Sequence, residues 1–143
     1  MVYWGPSSAD GYPNEGQQDR FESERAAAIH DLRVEAYSDY VGAAELVSVA
    51  LQGTFPDADK RAAIQSVVTA GARILLVTDD NEVREAELAA TNALGEWDEA
   101  VLEQGQADQA VIDAATKEER ESYADAIDHF LDVASAEIDA TKG

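Results

Sequence analysis

At 143 residues the chain has the length of one domain, and 45% apolar residues are enough for a real core. Its 30 Asp and Glu against 10 Lys and Arg give a formal net charge of −20, which argues against direct binding to nucleic acid or an anionic membrane surface. Cysteine is absent, excluding disulfides and thiolate chemistry, and the two histidines, His30 and His129, offer little for metal or acid–base work.

Residues 1–16 carry Gly5-Pro6, Gly11 and Pro13 as breakers, with no Lys, Arg or apolar run. They read as an irregular leader rather than a secretory signal. Tyr3, Trp4 and Tyr12 within it are a short docking peptide, or they lie on the bundle or are disordered. The longest strongly apolar run, residues 74–77, is far short of the ~20 residues of a membrane span, so a cytoplasmic protein is expected.

From residue 17 the chain turns Ala-, Glu-, Asp- and Leu-rich with helical spacing, and only Pro56 follows position 13. A first helix is predicted over about 17–51, with Ile29, Leu32, Ala36, Tyr40, Ala43, Ala44, Val47 and Leu51 on one stripe. Gln52-Gly53 ends it, and Pro56 suits the first turn of the next. The second segment reaches about Val77, with Ile64, Val67, Val68, Gly71, Ile74 and Leu75 on its stripe. Thr78-Asp79-Asp80-Asn81 breaks it, and Asp79 with Glu82 is the expected capping pair for a third helix. That helix runs to about Gln104 on Val83, Ala86, Ala90, Ala93, Leu94, Trp97 and Val101. A short helix is expected over 107–114. Thr116-Lys117-Glu118-Glu119 then has the form of a capping box, opening a last helix to about Thr141. Its apolar positions are Tyr123, Ile127, Phe130, Leu131, Ala134 and Ile138.

These segments predict an all-α fold, an antiparallel four-helix bundle over residues 17–143 with a long first helix. A 35-residue helix spans about 52 Å and a 20-residue neighbour about 30 Å. The first helix must therefore bend near Gly42, or its polar start, 17–25, must project with Phe21 as a self-association surface.

Three stretches together resemble a loose group of small Ala-rich helical proteins of high-GC bacteria and their phages. They are Arg33-Val-Glu-Ala-Tyr37-Ser-Asp-Tyr40, Glu82-Val83-Arg84-Glu-Ala86, and the run from Tyr123 to Phe130-Leu131. The resemblance spans roughly residues 25–138 and implies a helical fold; no activity comes with it. Members carry a proline-containing turn where this chain has Thr78-Asp79-Asp80-Asn81.

The most regular polar feature lies on the last helix. Glu118, Glu121, Asp125, Asp128, Asp132 and Asp139 recur at helical spacing, forming a stripe about 31 Å long opposite the apolar one. Such a stripe is a solvated acidic face, a surface for a basic protein partner, or a site for divalent cations, the last without the loop that wraps calcium. The even spread of acid along the chain favours general surface acidity over mimicry of DNA, which stays as the alternative: an acidic inhibitor of a nucleic-acid-binding protein.

Arg25, Arg33, Glu87 and Arg120 fall at the edges of apolar stripes, and an interhelical Arg33–Glu87 ion pair is expected. A ligand pocket built from these two with Tyr40 is the sharper alternative. Tyr37 and Tyr40 are expected to give their rings to the core with hydroxyls at its rim. Ala126 and Ala27 stand where a di-iron bundle would need Glu before His129 and His30, and no calcium loop, phosphate loop or nucleophile motif is present. The sequence thus predicts a non-catalytic protein without cofactor or metal, contacting a basic partner and associating with itself as a homodimer.

Overall fold

The computed structural model describes residues 15–141. Among them are five helices and no strand: α1 (Glu15–Gln52), α2 (Asp57–Val77), α3 (Asn81–Glu103), α4 (Gln109–Ala115) and α5 (Lys117–Ala140). The fold is all-α. The leader expected over 1–16 lies outside the described residues as far as residue 14, and α1 already includes Glu15 and Gly16.

Helix α1 packs mainly on α2, and α3 mainly on α5, with less contact between the two pairs. The buried faces follow the 3.6-residue period: Ala36, Tyr40, Ala44, Val47 and Leu51 on α1 meet Val67 and Ile74 on α2. Val83, Ala86, Ala90, Leu94, Trp97 and Val101 line α3, and Tyr123, Phe130 and Ala134 line α5. Trp97, Tyr40, Tyr123 and Phe130 are the largest of the fully buried side chains. Tyr40 tilts against Phe130 with ring centroids 4.8 Å apart, and Tyr37 meets the same ring edge-on at 5.7 Å. Aromatic rings thus join α1 to α5 where small alanines elsewhere let the helices approach.

The helix ends have identifiable causes. Asp80 caps α3, its Oδ1 accepting from Glu82 N at 2.8 Å and Val83 N at 3.4 Å. This corrects the expected cap, Asp79, which turns to Arg33 instead. Gly105 stops the chain after α3 at φ 61°, a conformation that a side chain would strain. Thr116 stands at the start of α5 without capping it: its hydroxyl donates back to Ile112 O at 2.8 Å. The expected capping box does not form: Thr116 holds φ −109° and ψ 15°, outside the extended range from which a cap's oxygen accepts from the first helical amides.

At the start of α1 the expected stripe stops short. Every residue from Gly16 to Ile29 is exposed, and Leu32 is also exposed. The buried face begins at Arg33 and Ala36, level with the end of α2, since Arg33 Nε donates to Val77 O. The helix continues through Gly42 without interruption. Of the two expected features of the length mismatch, the exposed start is present, and no break in α1 accompanies it.

Candidate functional site

Four elements converge on the turn between α2 and α3. Arg33 of α1 donates its Nε to Val77 O at 2.7 Å, satisfying a carbonyl that the end of α2 leaves free. Its Nη2 reaches Asp79 Oδ2 at 3.3 Å, and Arg84 of α3 donates to Thr78 O at 3.0 Å. Thr78 itself is buried, and its hydroxyl donates to Glu137 Oε2 of α5 at 2.8 Å while accepting from Asp80 N at 3.1 Å. The other oxygen of Glu137 accepts a hydrogen bond from the Tyr37 hydroxyl of α1. Burial first, then this bond to Glu137, raises the Tyr37 phenol above its ordinary range. Both Glu137 oxygens are held by neutral donors, so a carboxylate ties α1, the turn and α5 together.

The predicted Arg33–Glu87 pair does not form. The guanidinium is drawn to the carbonyl at the end of α2, where the helix dipole favours positive charge, and to Asp79 beside it. Glu87 lies deeper along α3, buried, accepting from Thr91 Oγ1 at 2.5 Å. It fits there because α2 presents Gly71: a Cβ on that glycine would stand 2.5 Å from Glu87 Oε2. Tyr40 does not place its hydroxyl at the rim but in the core, where burial, then the nearness of Tyr123 and Glu87, raises its phenol above the ordinary range. The ligand-pocket alternative loses its geometry, because Arg33 lines a surface groove with Asp79, His129 and Asp132 while Glu87 and Tyr40 are interior.

The carboxylate stripe is brought together as expected. Glu118, Glu121, Asp125, Asp128, Asp132 and Asp139 all lie exposed on α5. Glu121 meets Lys117 at 3.9 Å, an exposed contact of little energetic weight. Asp139 borders a groove of about 470 Å³ between α1 and α5, walled by Val34, Val41, Leu131 and Ile138. Phe21, on the uncovered start of α1, is 63% exposed. Arg25 is exposed there too, while Arg120 is half-buried and donates to Asp113 O at 3.1 Å. Among the described residues no group of three or more His, Asp or Glu is placed to hold a metal ion.

Sequence reasoning missed Glu137 and Thr78. The signal was present: Tyr123, Phe130 and Glu137 recur every seven residues, so Glu137 sits in line with two core aromatics. In sequence Thr78 is indistinguishable from the rest of the helix-breaking run 78–81. Compared with known proteins, the chain matches no family model, no curated protein and no solved structure.

Proposed function

We propose that this protein works by non-catalytic protein–protein contact in the cytoplasm, its helices forming an antiparallel four-helix bundle of α1, α2, α3 and α5. The pairing of Arg33 with the end of α2 and of Asp39 with Arg73, one helical turn or more further back, supports opposite directions for α1 and α2. The observation that carries the reading is the uncovered start of α1: fourteen consecutive exposed residues, about 21 Å of helix, with Phe21 on it. A helix this short gains little from its own hydrogen bonds in water, so a packing partner would stabilise it. Self-association supplies that partner.

Light scattering coupled to size exclusion tests this directly. A dimer is expected, reduced to monomer by Phe21→Asp; a strict monomer across the accessible concentrations overturns self-association.

A second reading is favoured by α5, whose six exposed carboxylates run along about 31 Å of helix. In that reading a basic, nucleic-acid-binding protein is the partner and the stripe inhibits it. Reversing Glu121, Asp125 and Asp128 to Lys would then abolish displacement of DNA from such a protein; unchanged displacement removes the idea.

A further inference from the structure

The uncovered start of α1 carries more than one exposed ring. Phe21, Arg25, Ala28, Ile29 and Leu32 are linked by steps of three or four residues, so they form one strip along the helix. All five are exposed, and the strip leads into Ala36, where the core begins. Arg25, in the middle of it, makes no ion pair or hydrogen bond among the described residues. The strip is thus an apolar surface around an unpaired guanidinium.

Chain length and chemistry both nominate residues 1–14 as its cover. Along α1, Phe21 stands about 9 Å from Glu15, Ile29 about 21 Å and Leu32 about 26 Å. Pro13-Asn14, immediately before α1, are residue types that reverse a chain. From Pro13 back to Trp4 is nine residues, at most about 30 Å of extended chain. A leader doubling back at Pro13 therefore brings Tyr3 and Trp4 level with Ile29 and Leu32, and Tyr12 nearer Phe21. It falls short of Val41 in the α1–α5 groove, about 39 Å from Glu15. Aromatic faces suit an aliphatic strip with a guanidinium at its centre, because the ring quadrupole attracts the cation. Asp10 is the only charged side chain in residues 1–14, whereas a second copy would bring a formal net charge of −20 against an equal charge.

We propose that residues 3–12 fold back along α1 of their own chain and cover the strip from Phe21 to Leu32, with Tyr3 and Trp4 on Ile29 and Leu32. The same strip includes the surface proposed above for self-association. The leader is then a built-in competitor, and a second copy docks only where it has lifted. That regulatory consequence rests on the self-association reading; the cover itself does not.

Fluorescence of the full chain tests the cover. The chain has two tryptophans and Trp97 is buried, so subtracting the emission of Trp4→Phe isolates Trp4. Trp4 is expected to emit further to the blue, and to be quenched several-fold less by acrylamide, than in a free peptide of residues 1–14, even at the greatest dilution. Leu32→Asp, at an exposed position, should restore peptide-like emission; Leu131→Asp, in the wall of the α1–α5 groove, should not. Peptide-like emission in the unaltered chain overturns the cover. So does release by Leu131→Asp alone, or shielding that appears only as concentration rises, which puts Trp4 between copies. Light scattering reads the consequence: Tyr3→Ser with Trp4→Ser is expected to strengthen dimerisation about tenfold, because both strips must be open at once. A dimer of unchanged strength overturns the competition. A strict monomer overturns self-association and leaves the cover standing on the Trp4 emission.

Discussion

Glu137 and Glu87 are both buried, and neither forms an ion pair among the described residues, yet the molecule accommodates them by different means. Glu137 is served by donors: Tyr37 holds one oxygen and Thr78 the other. Glu87 has Thr91 on one oxygen and otherwise depends on space, the gap left by Gly71. The turn end of the core is therefore fixed by complementary bonding, and the middle of the core by shape. A buried carboxylate can be tolerated by either route, but the two routes fail differently.

Alkaline pH should act on both regions together and give the largest effect. Tyr37, Tyr40 and Tyr123 are held protonated above the ordinary tyrosine value, in each case mainly by burial. The unfolded chain releases these protons near pH 10, while the folded chain retains them. Stability is thus fully present below about pH 10 and is lost as pH rises from there through the folded values. Loss of helical circular dichroism should coincide with the appearance of tyrosinate absorbance in a Tyr3→Phe, Tyr12→Phe background. Three tyrosines ionising near pH 10 in an intact fold would break the account.

Glu137→Ala separates the regions. It strands Tyr37 and Thr78 together, and about 3 kcal/mol of stability should disappear in urea unfolding. A loss below about 1 kcal/mol would show that the turn is held by Arg33 and Arg84 instead. Gly71→Ala probes the other route. Its Cβ cannot coexist with Glu87 where that side chain now lies, so a destabilisation of about 1–3 kcal/mol is expected. Combining it with Glu87→Ala should recover most of that cost, and failure to recover would mean that Gly71 serves the backbone rather than the carboxylate. The smallest effect, of opposite sign, is expected for Gly42→Ala. Nothing lies within 4 Å of a Cβ there, and alanine should stabilise α1 by about 0.5–1 kcal/mol, read as a raised melting temperature.

Helix positions were legible because apolar residues recur with the right period and Gly53, Gly105 and the Thr78–Asp80 turn interrupt them. The carboxylate face of α5 was legible for the same reason: period alone decides which residues share a face. Partners across helices were not. Arg33 and Glu87 both sit at stripe edges, but which cation meets which acid depends on relative heights along two helices, and Arg33 stands level with Val77. Asp79 and Asp80 are chemically equivalent in sequence, and backbone direction at one residue decides which caps and which faces Arg33. Ile29 and Leu32 have the right spacing for the α1 stripe yet lie exposed, because periodicity says which face is apolar and not how far a neighbour extends.

Much of what the helices bury is alanine, as at Ala36, Ala44, Ala86, Ala90 and Ala134, and seams of small methyl groups are nearly smooth. Alanine seams alone oppose a slip of one helical turn, about 5.4 Å, only weakly, so alignment falls to the few large side chains and to the bonded groups. Glu137, Tyr37 and Thr78 can engage in a single alignment only. With the rings of Tyr40 and Phe130 they act as a detent for the sliding position of α1 along α5.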